Sequence, residues 1–149
     1  MIPGKIALHN ACGKARDVAR KFKNALVIGV DTIGSLRGEV FGKPRNEADA
    51  KRILRKLSGT THDVISAICI IDTKTGKEMT AVEKTKVTFV KMSKDEINRY
   101  VSSGEQMDKA AAFAIQGLGA FFIKKINGDY FNVVGLPIFK LGRMLKIML

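Results

Sequence analysis

The chain has 149 residues, with 26 lysines and arginines against 14 acidic residues and a formal net charge of +12. Such a length fits one domain, and 46% hydrophobic residues, 27% charged residues and only 3 prolines exclude the fibrous and disordered classes. No apolar run approaches the ~18–20 residues that cross a bilayer. The basic excess attracts phosphates, whether on a nucleotide, a nucleic acid or an anionic surface.

In chain order, residues 1–10 lack the apolar segment of a signal peptide. Ala11, Ala15, Val18, Ala19 and Phe22 then recur at helical spacing, which predicts an amphipathic helix ending near Lys23. Ala25–Val30 is a short apolar run that reads as a strand covered on both faces and stopping at Asp31-Thr32. Gly34 and Gly38 bracket a turn, and a short strand spans Glu39–Phe41. Asn46 is an N-cap for a helix with an apolar face of Ala50, Ile53, Leu54 and Leu57, closed by Ser58-Gly59.

A strand from His62 to Asp72, a hairpin loop over Thr73–Lys77 and a return strand to about Met92 follow. Ser93 and Glu96 form a capping box, opening a helix that buries Ile97, Tyr100 and Val101 and ends before Gly104. After the glycine- and alanine-rich stretch 110–119, Ala120–Ile126 reads as a strand and Asn127-Gly128 as a turn. Leu141, Met144, Leu145 and Met148 mark a final helix. Phe121, Phe122 and Phe139 are expected in the core.

Several residues offer chemistry. Asp31, at the end of an apolar strand, suits metal coordination or proton abstraction from water, with a turn-capping role as the alternative. Lys43, between Gly42 and Pro44, places a compact positive charge on rigid backbone where a phosphate oxygen could meet it. Glu105, Asp108, Lys109 and Gln116 form a dense polar cluster able to hold a divalent ion with its phosphate ligands, or else a solvated helix start. His9 and His62 lack zinc-site spacing. Cys12 and Cys69 carry no motif of a nucleophile, and their sparse use suits a reducing, cytoplasmic setting. No GxxxxGK[ST] segment occurs, which excludes a P-loop nucleotidase.

Together, Lys14-Ala15, Val27–Thr32, Gly42-Lys43-Pro44, Leu57-Ser58-Gly59 with His62, Gly104-Glu105 with Asp108-Lys109-Ala110, Ile115-Gln116-Gly117 and Asn132–Pro137 resemble the Maf family of nucleoside triphosphate pyrophosphatases. The resemblance implies a single elongated α/β domain over residues 1–149, with a mixed twisted sheet flanked by helices and a cleft between two lobes. It implies hydrolysis of a nucleoside triphosphate to monophosphate and pyrophosphate, assisted by Mg²⁺ or Mn²⁺. Asp31 would be the catalytic carboxylate and metal ligand, with Lys43 and Gln116 completing the catalytic set. Lys14, Thr32, Glu105 and Lys109 would bind substrate.

Ile115-Gln116-Gly117 and Asn132-Val133-Val134 look like the branch that prefers dTTP and UTP. The family is linked to arrest of cell division and often forms homodimers; neither a nucleic acid nor a membrane is an expected partner. Lys109–Ala114 departs from the family's Lys-Ala-Gly-Ala-Tyr-Gly. Nothing before Ala11 matches its Ser-x-Ser-x-Arg-Arg loop, so weak or absent turnover is expected. The open alternative is a non-catalytic nucleotide-binding protein.

Overall fold

The computed structural model describes residues 2–149; Met1, the first residue of the expected 1–149 domain, lies outside them. Helix α1 runs from Pro3 to Ala19, two turns earlier than its apolar pattern predicts. Pro3 suits the first helical position because its missing N–H would have no partner there. The buried stripe is Ala7, Ala11, Cys12 and Ala15, a row of small side chains that draws the helix close to the sheet. Val18 and Phe22, expected on this face, are 44% and 53% exposed. Small residues carry little hydrophobic signal, so the longer side chains misplaced the stripe.

Strand β1 spans Leu26–Leu36 and continues straight through Asp31 and Thr32, where the apolar pattern predicts a stop. Arg37 and Gly38, both at positive φ, turn it into β2, Glu39–Phe41. Helix α2, Glu47–Leu57, starts on the Asn46 side chain, which accepts from the Asp49 N–H, and buries Ala50, Ile53, Leu54 and Leu57 as expected. Strands β3, Thr61–Asp72, and β4, Glu78–Phe89, form the expected hairpin. Helix α3, Lys94–Ser102, carries the complete Ser93–Glu96 capping box.

Strand β5 is Ile123–Asn127; the first part of the strand expected over 120–126 is a 3-10 turn, Leu118–Phe122. Helix α4, Tyr130–Val134, was not foreseen, and α5 covers Ile138–Met148. Phe122 is buried, but Phe121 and Phe139 are 81% and 74% exposed.

Among the described residues the strands form one sheet in the order β2-β1-β3-β4-β5. Helices flank this sheet, as an α/β domain requires, but every pairing is antiparallel rather than mixed. A helix between β2 and β3 suggests a parallel pair. However, β2 lies outside β1, so the crossover sets β3 on the far edge of β1, and β1 separates the two parallel strands.

Because side chains alternate across a strand, β3 has two faces with different coverings. Ile65, Ala67, Cys69 and Ile71 pack under α1 with Val27 and Ile33. Ile68 and Ile70 pack with Met144 of α5. A third cluster joins Phe41, α2 and α3 to Val64, Val87 and Phe89. Ile28 of β1 stays exposed, so its apolar run is not covered on both faces. No helix among the described residues is long and apolar enough to cross a membrane.

His62 is buried at the base of this third cluster, edge-on to Phe89 and Phe113. Among the described residues neither ring nitrogen has a hydrogen-bond partner. Burial lowers its pKa from 6.5 to about 4, with neighbouring Asp63 opposing weakly. The folded state therefore resists protonation. The stability this neutral ring contributes is complete above pH 6.5 and is lost as pH falls from 6.5 through 4. The shift corresponds to about 3 kcal/mol. Urea unfolding at pH 7 and pH 4 should show this loss in the wild type, and a loss smaller by that amount in His62→Phe.

Candidate functional site

Asp31 faces α1 because it lies opposite Ala67 in the β1–β3 ladder, and Ala67 belongs to the helix-covered face. Asn10 and Lys14, one helical turn apart on α1, both reach its carboxylate. Asn10 Nδ2 donates to Oδ2 at 3.0 Å, and Lys14 Nζ donates to Oδ1 at 2.8 Å and to the Val30 carbonyl at 3.3 Å. The Asp31 side chain is 15% exposed and that of Lys14 59%. Such an open ion pair adds little stability, but it fixes where the carboxylate points.

The site lies at a sheet edge. Strand β2 pairs with β1 only from Gly34 to Leu36, which leaves the edge of β1 beside Asp31 without a strand neighbour among the described residues. A cleft of about 280 Å³ opens there, lined by Lys14, Asp31, Thr32, Lys43, Asp108 and Lys109 together with apolar groups of β1 and α4. Three ammonium groups thus face two carboxylates. Lys43 has no ion-pair partner among the described residues, while Lys109 lies 3.6 Å from Asp108.

Two close approaches bring the loops of the cleft together. The Ala111 N–H donates to the Gly42 carbonyl at 3.0 Å, tying the Lys109 loop to the Lys43 loop. A Cβ at Gly34 would lie 2.6 Å from that of Ala111, so only glycine lets this loop cross β1. Ala111 and Ala112 sit at φ 59° and 60°, a region costly for side chains with a Cβ.

The other predicted residues are placed differently. Thr32 lines the cleft, but its hydroxyl is 2.7 Å from Ser66 Oγ and donates to the Gly135 carbonyl at 3.2 Å. It therefore anchors the chain after α4. Gln116 is exposed and lies in an adjoining hollow of about 170 Å³ that shares Lys109, Phe113, Val133 and Val134 with the main cleft.

Glu105 lines neither space. Its carboxylate accepts from Tyr100 Oη at 2.9 Å and from the Leu118 and Gly119 N–H groups at 3.0 and 3.1 Å. Burial works against its charge, but these donors outweigh burial and hold its pKa below the usual carboxylate value. Glu105 organises the loop that carries Gln116. Glu105→Ala leaves two N–H groups without this acceptor and should cost about 1–3 kcal/mol, read as a lower thermal midpoint.

Three contributors escaped the set of expected site residues. Asn10 did so because α1 was begun one residue too late to include it; starting at Pro3 puts it four positions before Lys14 on the same face. Asn132 is fully buried and donates to the Val64 carbonyl at 3.1 Å and Thr85 Oγ1 at 3.0 Å, pinning α4 to the sheet. Nothing local marks this long-range role. Ser66, which meets Thr32, is equally silent.

Asp31 and Asp108 are the oxygen donors on which a hard divalent cation could draw. Such ions are held by one or two carboxylates plus substrate phosphates. The pair, with the narrow positive excess of the cleft, fits a cation that arrives with its phosphate ligands.

The sequence model of the family described as "Maf-like protein" matches residues 2–148. The chain is 46% identical over 144 residues to a protein of Dictyoglomus thermophilum named dTTP/UTP pyrophosphatase, covering 97% of this chain and 75% of that one. A protein of the same name from Methanosarcina barkeri is 45% identical over 146 residues, covering 98% and 74%. One from Alkaliphilus metalliredigens is 49% identical over 144 residues, covering 96% and 74%.

Proposed function

Because the chain belongs to the Maf-like protein family, we propose that it hydrolyses dTTP and UTP to the monophosphate and pyrophosphate. The observation that carries this reading is the Asp31 carboxylate, held by Asn10 and Lys14 and opening into the same cleft as Lys43 and Lys109. A carboxylate beside several ammonium groups can direct water at a phosphorus whose oxygens are already neutralised.

The triphosphate lies in the main cleft. Lys14, Lys43 and Lys109 balance its oxygens, as charge spreads over them in the transition state. Asp31 accepts the proton of the attacking water. The new P–O bond forms on the α-phosphorus, the bond from that phosphorus to the α,β-bridging oxygen breaks, and pyrophosphate leaves with that oxygen and the electron pair. A divalent cation, most simply Mg²⁺ on Asp31 and Asp108, would add charge neutralisation when bound. The base occupies the adjoining hollow, against Phe113 and Val134, with the Gln116 amide as its polar contact. A cytoplasmic setting, where such nucleotides and reduced thiols occur, belongs to the same proposal.

The test is pyrophosphate release from dTTP, UTP, dATP and GTP by the 149-residue chain with Mg²⁺. Release from the two pyrimidine nucleotides in preference to the purines is the expected result. Tight binding of dTTP with no release would instead identify a non-catalytic nucleotide binder.

A further inference from the structure

On the far side of α1 from Lys14's cleft, three metal-ligating side chains from three elements converge. The Sγ atoms of Cys12 and Cys69 and a carboxylate oxygen of Glu78 all lie within 4.8 Å of one another. Topology explains the meeting. Cys69 and Ile71 belong to the face of β3 that α1 covers, and Glu78 stands opposite Ile71 in the β3–β4 ladder. Glu78 is thus a diagonal neighbour of Cys69 on the same face. Cys12 descends from α1 onto this corner.

We propose that Cys12, Cys69 and Glu78 form a binding site for a thiophilic divalent cation, Zn²⁺ in the first instance, separate from the nucleotide cleft. Two thiolates select a soft or borderline metal over Mg²⁺. Three protein ligands leave a fourth, tetrahedral position for water. Ligand separations in such a site follow from metal–sulfur bonds of ~2.3 Å and metal–oxygen bonds of ~2.0–2.2 Å, so the observed spacing needs only small side-chain shifts.

A second observation points the same way. Arg16, one turn beyond Cys12 on α1, forks onto Glu78, with Nε to Oε2 at 3.2 Å and Nη2 to Oε1 at 2.9 Å. This fork orients the carboxylate from behind, as groups around metal sites commonly do. It also closes the charge balance: two thiolates, one carboxylate, one divalent ion and one guanidinium sum to zero. A hollow lined by Arg16, Ile71 and Glu78 lies against the carboxylate side of this corner.

Co²⁺ is the probe, added to the full chain under a phosphine reductant with excess Mg²⁺ present. A thiolate-to-cobalt charge-transfer band saturating at one ion per chain is expected, and displacement of that band by Zn²⁺. Asp31→Asn should leave it unchanged. Cys12→Ala and Cys69→Ala should each weaken binding at least tenfold, and Glu78→Gln should weaken it while keeping the band. Zn²⁺ should raise the thermal midpoint of the wild type and not of Cys12→Ala, which replaces a residue 7% exposed against 0% for Cys69 and tests the site even if Cys69→Ala fails to fold. Absence of the band, or a Co²⁺ affinity in Cys12→Ala within a few-fold of the wild type, overturns the proposal.

Discussion

Asp31→Asn should lower pyrophosphate release from dTTP at least about hundredfold, the lower bound of what a positioned general base supplies, while dTTP still binds. The amide keeps the shape of the carboxylate: its oxygen can accept from Lys14, and with the Asn10 amide turned over its nitrogen can donate to Asn10 Oδ1, in place of the two donations that hold Asp31 at 3.0 and 2.8 Å. It cannot take a proton from water. Removing one negative charge from a cleft of three lysines and two carboxylates makes the cleft more attractive to a triphosphate, so KM should not rise. Folding should change little, because Lys14 is largely exposed and open pairs contribute at most about 1 kcal/mol. Turnover within tenfold of wild type would remove Asp31 from the proposed mechanism. Lys14→Met should behave differently, raising KM and lowering kcat together, since its ammonium would face both Asp31 and the phosphates.

The second large effect should come from Gly29→Ala, which touches no substrate. A Cβ at this position would lie 2.4 Å from the Ala11 carbonyl oxygen, 2.9 Å from Ala15 Cβ and 3.0 Å from the Ala15 nitrogen. These are backbone and methyl atoms with no rotamer to yield. The helix must lift from the sheet, breaking the packing of Ala11, Cys12 and Ala15. Overpacking of this kind costs about 1–3 kcal/mol, more than the ~0.4–1 kcal/mol that alanine contributes by restricting the unfolded chain. The thermal midpoint should fall by several degrees. Asn10 and Lys14 ride on the same helix, so turnover should fall as well. An unchanged midpoint would mean that α1 is not seated as described.

Local signals in the chain were readable. The Asn46 cap, the Ser93–Glu96 box, the buried face of α2 and the β3–β4 hairpin were all legible. Each depends on residues within a few positions of one another, where side chain and backbone interact directly. The start of α1 was hidden because alanines at 7, 11 and 15 bury little area and give a weak period. The continuation of β1 through Asp31 and Thr32 was hidden because their polarity reads as a turn, while the ladder to Ala67 and Ser66 holds them extended.

The candidate site divides along the same line. Sequence by itself determined the family likeness, the chemistry of Asp31, Lys14, Lys43 and Lys109, and the helices flanking a sheet, because these rest on residue types and short spacings. Tertiary structure alone decided that those four line one cleft, that Thr32 and Glu105 spend their polar atoms on Gly135, Tyr100, Leu118 and Gly119, and that the sheet is antiparallel throughout. It also decided that Cys12 and Cys69, distant in the chain and without motif, meet beside Glu78. A hydrogen bond or ligand set is a property of distances, and distances between remote residues exist only once the chain has packed.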